Sequence, residues 1–170
     1  MVTNIHAREI PVPTEDAGAL LDSLSSRCDL LWPHEKWPRM RLDRPLGVGA
    51  AGGHGPIGYV VEAYEPGHYV RFRFTSPRGF LGTHCFFVAR TGPAAVQIRH
   101  EINMQLKGAA LLTWPLAVRW LHDALLEDAL DKAESYLTAR PVSRPWSLWV
   151  RCLRYLGDKM MERKMGRKKK

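Results

Sequence analysis

The chain has few cysteines, no long apolar run and no recognisable catalytic motif, and each shortage excludes something. Cys28, Cys85 and Cys152 are three, an odd and widely spaced set. No pair has metal-ligand spacing and no disulfide framework is implied, so reduced thiols in a cytoplasmic protein are expected. The longest apolar run, from Gly108 to Val118, is interrupted by Pro115. It falls far short of the roughly 20 residues a membrane-crossing helix needs. The N-terminal MVTNIHAREI lacks the apolar centre of a secretory signal, so no export is expected. No Ser-His-Asp or Cys-His arrangement has a supporting motif. The glycine-rich stretch Gly47 to Gly58, GVGAAGGHGPIG, lacks the Lys-Ser/Thr of a phosphate loop and reads as a flexible strand connection. No cofactor is expected.

What is present begins with charge. The net charge is +8, but it is not spread over the chain. Residues 144–170 carry 10 Lys/Arg against Asp158 and Glu162, which leaves 15 of each sign for residues 1–143. The body is neutral and gives no charge-based reason to expect nucleic acid; the tail needs its own explanation.

Thr113 to Ala139 reads as one long amphipathic helix, capped by Thr113 and with Pro115 in its first turn. Trp114, Val118, Leu121, Leu125, Ala129, Ala133 and Leu137 recur at helical steps, and Leu126, Leu130 and Tyr136 widen that face. Arg119, Asp123, Glu127, Asp131 and Glu134 lie opposite and are expected to face water. So wide an apolar face needs a sheet to lie across.

The strands that supply it are legible. Thr3 to Ile10 alternates and stops at Pro-Val-Pro. Thr14 then caps a short helix over 15–25, and Cys28 to Trp32 forms a second helical turn closed by Pro33. A strand is expected around 37–43. Ile57 to Tyr64, Tyr69 to Thr75, Phe80 to Arg90 and Ala94 to Gln105 are rich in β-branched and aromatic residues and are joined by turn sequences. Connections this short force antiparallel neighbours. With the hairpin turn at 91–93, Val88 faces Ile98, Phe86 faces His100 and His84 faces Ile102. Alternation then puts His84, Phe86 and Val88 on one face with Val96, Ile98, His100, Ile102 and Met104. Arg71, Arg73, Arg99 and Glu101 fall on the outer face.

This order of elements resembles the START-like, or helix-grip, superfamily, also called SRPBCC or polyketide cyclase/dehydrase-like. The local words GPIGYVVEAYEPGHYVRFRFT, PRGFLGTHCFFV and VQIRHEINMQLKG are similar to central strands of its bacterial members. The resemblance spans about residues 3–139. It implies an α+β fold: a curved antiparallel β-sheet wrapped around a long C-terminal helix, with two short helices after the first strand. It also implies an elongated apolar cavity between sheet and helix. Members bind lipids, sterols, polyketides and other hydrophobic molecules, and some are cyclases or hydrolases. No catalytic motif carries over.

Three parts follow: a ligand-binding domain over 1–139, a Pro-containing linker over 140–146, and a basic amphipathic tail over 147–170. The leading function is binding, or carriage, of a hydrophobic small molecule or lipid. The alternatives are a cyclase, dehydrase or hydrolase on an apolar substrate, and an interaction module without ligand. The cavity-lining candidates are His84, Phe86, Val88, Ile98, His100, Ile102, Met104, Val118, Leu121, His122 and Leu125. Its three histidines can orient a ligand's polar end or move a proton, or they are buried groups bonded to backbone or water. No metal is expected, since no inward carboxylate is evident and the histidines lack ligand spacing. Trp32, Trp37, Trp114 and Trp120 read as core or cavity rim.

In the tail, Trp146, Trp149, Val150, Leu153, Leu156 and Met160 form an apolar face, and Arg167, Lys168, Lys169 and Lys170 end the chain. Tryptophan beside a basic run suits an anionic membrane surface, and Trp146, Trp149, Leu153 and residues 167–170 are the contact candidates. A peripheral place at the inner face of the membrane would follow. Packing of that face on the domain or in a homodimer is the other reading.

Overall fold

A computed structural model describes residues 1–167, with side chains to Lys159. Strand β1 (Val2–Ile10) is followed by helix α1 (Thr14–Asp22), then by the short strands β2 (Arg41–Leu42) and β3 (Ala51–His54). Four long strands come next: β4 (Ile57–Glu65), β5 (Tyr69–Ser76), β6 (Phe80–Gly92) and β7 (Ala95–Leu106). The chain then turns helical through α2 (Ala110–Thr113), a π-helical segment (Trp114–Val118) and α3 (Arg119–Thr138), and ends in α4 (Leu148–Arg167).

All seven strands form one antiparallel sheet in the order β1-β7-β6-β5-β4-β3-β2. The sheet curves around the long helix in the helix-grip arrangement. Bulges at Gly58/Tyr59 and Val61/Ala63 in β4, and near Arg90 in β6, bend the strands as extra residues in a ladder do. The β6–β7 register is the expected one, with His84 opposite Ile102, Phe86 opposite His100 and Val88 opposite Ile98.

The core joins sheet to helix in two clusters. In the larger, Phe72, Phe86, Val88 and Ile98 of the sheet share one apolar interior with Leu20 and Leu21 of α1 and Leu125, Leu126 and Leu130 of α3. In the smaller, Phe74, Phe80, Ile102 and Met104 pack against Ala110 and Trp114.

Several local expectations are corrected. The long helix starts earlier than Thr113, whose side chain caps nothing, because α2 and the π segment lead into α3 without a break. Pro115 lacks the N–H of a regular turn and sits in the π segment, where Trp120 Nε1 donates to its carbonyl at 3.0 Å. Trp120 and Tyr136 are exposed, not buried. Cys28 to Trp32 is a set of turns rather than a helix. Buried Asp29 organises it by accepting the backbone N–H groups of Ser25, Leu31 and Trp32. Of the strand sought near 37–43, only Arg41–Leu42 pairs. The glycine stretch contains an edge strand. A Cβ on Gly52 would stand 2.0 Å from the carbonyl oxygen of Arg41, so the close approach of β2 requires glycine there.

The largest correction concerns the helix side assigned to water. Asp131 is buried, and Asp123, Glu127 and Glu134 are half-covered, because this side lies over edge strand β1. β1 turns Asn4, His6 and Arg8 toward it. Asn4 Nδ2 donates to Asp123 (2.9 Å), and His6 bridges Asp123 (3.1 Å) and Glu127 (2.8 Å). Arg8 binds Glu127 (3.0 Å), Asp131 (3.1 Å) and Glu134. The spacings match: two residues advance a strand by about 6.7 Å, and four advance a helix by about 6 Å.

Candidate functional site

The inward faces of β6 and β7 bring His84 and His100 side by side beneath α3. Strand alternation places both on the helix side, and both are buried. Nδ1 of His84 and Nε2 of His100 are 3.3 Å apart and share a hydrogen bond. The remaining ring nitrogens, His84 Nε2 and His100 Nδ1, have no protein partner. A neutral imidazole carries one N–H and one lone pair, so this pair leaves one unpartnered donor and one unpartnered acceptor in the interior.

The pair is the middle of a longer row. His54 lies 5.8 Å from Tyr59 between ring centroids, Tyr59 5.0 Å from His84, and His84 5.4 Å from His100. His100 is 5.1 Å from His122, and His122 is 5.8 Å from His6. Phe72 stacks on His84 at 4.8 Å, and Phe86 meets His100 edge-on at 4.6 Å. Five imidazoles thus cross the molecule from the β3 edge to the β1 edge, set among apolar rings.

Burial controls their charge. It holds His84 and His100 well below the ordinary imidazole range, and the neighbouring imidazoles push the same way. Burial lowers His122 and takes His54 down to about 3. His6 goes the other way. Burial opposes its charge, but the hydrogen bonds to Asp123 and Glu127 outweigh it and raise its pKa. Cys85 points to the opposite face of β6, where burial pushes its thiol up to about 11, out of the nucleophilic range at neutral pH.

All the sheet candidates, His84, Phe86, Val88, Ile98, His100, Ile102 and Met104, are buried on this face, together with Leu125; Val118, Leu121 and His122 are partly buried beside them. At these positions the sheet and helix side chains pack on one another, and the sheet candidates and Leu125 are each 5% exposed or less. Two hollows, of about 590 and 370 Å³, lie elsewhere: one beside α4 at Trp146 and Arg154, the other at the β3–β4 hairpin. His6, His54, Tyr59 and Asp123 were missed. His6 had a usable signal, since it shares parity with Val2 and Ile10. His54 had none, hidden in the glycine stretch.

The tail candidates divide. Trp146 is turned inward: its Nε1 donates to buried Asp128 at 2.8 Å, and the Arg154 guanidinium covers its ring at 4.4 Å. Asp128 also accepts Trp37 Nε1 and Lys36 Nζ, so it ties the 32–38 loop and the linker to α3. Trp146 is thus partly buried, with its N–H turned into the domain and the rest of its ring lining the hollow beside α4. Trp149 is exposed and Leu153 half-buried, with Val150 packed inward. Arg167 closes the described helix, and Lys168, Lys169 and Lys170 lie outside the described residues. No helix among the described residues is long and apolar enough to cross a membrane.

A curved antiparallel sheet gripping a long helix, with a file of imidazoles crossing its apolar interior and buried carboxylates at its margins, defines a helix-grip protein with a mixed interior. No family model matches the chain, and no curated protein matches it. Solved structures do. A START superfamily protein from Mycobacterium smegmatis superposes with a TM-score of 0.54 at 10% identity, over 81% of this chain and 97% of that one. Norcoclaurine synthase from Thalictrum flavum gives 0.60 at 15% identity, over 81% and 87%. The protein XoxI from Bacillus cereus gives 0.61 at 14%, over 81% and 96%. At these identities the likeness shows the fold, which is that of the START-like, helix-grip proteins.

Proposed function

We propose that the protein binds a hydrophobic small molecule or lipid between its sheet and long helix, with the ligand's polar end at His84 and His100. The observation that carries this reading is the imidazole pair, with one unpartnered donor and one unpartnered acceptor in an otherwise apolar setting. A hydroxyl, enol or undissociated carboxyl offers the complementary acceptor and donor. Entry requires the helical run Ala110–Val118 to part from the sheet end, taking Trp114 off Phe80. The π segment is the weak point for that motion, because its hydrogen bonding is already irregular. Residues 1–139 would form the binding domain, 140–146 the linker and 147–170 the tail.

Native mass spectrometry of the purified protein, followed by solvent extraction, tests the reading. A bound organic species is expected in the wild type, and at least tenfold less of it in His100→Leu. Wild-type protein that carries nothing, and takes up no hydroxylated or carboxylated apolar probe, would overturn it.

An enzyme of cyclase, dehydrase or hydrolase type is the second reading, favoured by one observation: the hydrogen-bonded imidazole pair leaves one nitrogen lone pair and one N–H open within the interior, where they could act on a substrate's polar group. Turnover of an apolar substrate, lost in His84→Phe, would select it over plain binding.

The tail supports a peripheral place on an anionic membrane surface. Leu148, Trp149, Tyr155 and Leu156 stand exposed on α4, near exposed Leu116, whose carbonyl accepts Trp149 Nε1 at 3.2 Å. The basic excess of the chain follows in sequence. Each Lys or Arg near such a surface contributes about 1 kcal/mol. Wild type is expected to pellet with phosphatidylserine-containing vesicles, and Trp149→Glu with Leu156→Glu to stay in solution. Equal, negligible pelleting of both would exclude membrane contact.

A further inference from the structure

Where β1 crosses α3, the imidazole file ends in a cluster that the ligand reading does not use. We propose that His6, His122 and Asp123 bind a divalent transition-metal ion with zinc-like preferences. One ligand atom from each lies within 4.8 Å of the other two. Asp123 Oδ1 is 3.1 Å from His6 Nε2 and 3.5 Å from His122 Nδ1. Donors about 2.0–2.1 Å from a tetrahedral zinc ion stand roughly 3.3 Å apart, so two edges of the coordination figure already have its dimensions. The third, between the two imidazoles, lies within 4.8 Å.

Three further observations point to an ion. Both ring nitrogens of His122 are buried without a hydrogen-bond partner, although a neutral imidazole has a donor and an acceptor to satisfy. His6 is set as a metal ligand would be. Its Nδ1 faces Glu127 Oε1 at 2.8 Å and can donate there, so that an ion displacing the Nε2 proton would find that nitrogen aimed at Asp123, 3.1 Å away. Arg8 and Arg144 hold Glu127 in turn. The charge is also suitable. Asp123, Glu127, Asp131 and Glu134 are four carboxylates against the three guanidinium groups of Arg8, Arg119 and Arg144. Arg119 stands 3.6 Å from Asp123 Oδ2, which leaves Oδ1 to the ion, with Asn4 donating to that same oxygen at 2.9 Å.

Two imidazoles and one carboxylate select zinc, cobalt or ferrous iron over magnesium or calcium, which prefer oxygen shells. A remaining position would hold water or an oxygen of a bound molecule; His100, whose Nδ1 lacks a partner, packs on His122 at 5.1 Å between ring centroids. The site stands whether or not an apolar ligand enters the fold.

The test uses untagged full-length protein, stripped with EDTA and then freed of chelator. Calorimetric titration with Zn²⁺ is expected to give one equivalent at micromolar affinity or tighter, and Co²⁺ to give the visible bands of low coordination. His6→Ala, His122→Ala and Asp123→Asn should each weaken binding at least tenfold, and His68→Ala, on an exposed turn, should leave it unchanged. Absence of uptake by wild type, or wild-type affinity in folded His6→Ala and His122→Ala, overturns the proposal. If those variants do not fold, X-ray absorption at the zinc edge of the wild type decides. A shell of two imidazoles with oxygen supports the site; a thiolate or all-oxygen shell overturns it.

Discussion

Lowering the pH from 7 to 5 is expected to reduce the unfolding free energy steeply, by more than the ~1.4 kcal/mol per pH unit that one titrating group can supply, against a total of roughly 5–15 kcal/mol for a domain. The cause is the imidazole file. His54, His84, His100 and His122 are held neutral in the folded protein, with pKa values below the ordinary range. Once unfolded they take up protons near pH 6.5. Between those limits the unfolded chain binds more protons, so stability falls with falling pH, at up to ~1.4 kcal/mol per pH unit per group. His6 has the opposite sign. Its raised pKa gives stability that is fully present below the unfolded value and is lost as pH rises through the folded one. It offsets part of the loss but is one group against four. Paired carboxylates lose their own contribution at lower pH, so the window from about 6.5 to 5 belongs to the histidines. Urea unfolding in EDTA-containing buffer at half-unit steps measures the slope, and His84→Phe with His100→Leu should flatten it. A midpoint that does not move across this window would show that the file is hydrated and free to ionise.

Arg8→Ala is the second change of large expected effect, at about 3–5 kcal/mol of destabilisation. Arg8 is nearly buried and binds Glu127, Asp131 and Glu134, of which Asp131 is itself buried. Removing the guanidinium leaves three carboxylates close together over β1, with only exposed Arg144 and His6 still beside them among the described residues. Glu134 loses its cation and Asp131 keeps only the 3.6 Å approach of Arg144, so their repulsion and desolvation then act on an edge strand. Asp131→Asn in the same chain should recover part of the loss. Comparison of the single and double variants by chemical denaturation measures this directly. A loss under 1 kcal/mol for Arg8→Ala would mean that the stripe faces water after all.

Arg8 also marks the boundary of what could be read from residues alone. The four long strands, their turns and the β6–β7 register were legible because alternation and turn chemistry are local signals, and a buried face enforces them. Val96, Ile98, Ile102 and Met104 share parity with His100, so the burial of that histidine followed from its strand. The long helix was legible for the same reason. Its acidic side was not. A polar stripe on a helix usually meets water, and nothing near Asp123 or Asp131 in the sequence reveals that Asn4, His6 and Arg8, more than a hundred residues away, lie across it. For Trp146 two readings were open, a membrane surface or packing on the domain, and nothing in the sequence near it reveals the buried Asp128 that accepts its N–H.

The sequence by itself determined the order of the long elements, the antiparallel pairing of the four long strands, the apolar helix face and the inward course of His84 and His100, because each follows from a period of two or 3.6 residues and from turns a few residues long. Only the tertiary structure decided that these histidines join His6, His54 and His122 in one file, that Asp123 enters beside it, and that α4 turns Trp146 inward. Those contacts join residues from separate strands and helices, and no periodicity along a chain encodes the distance between two points that folding alone brings together.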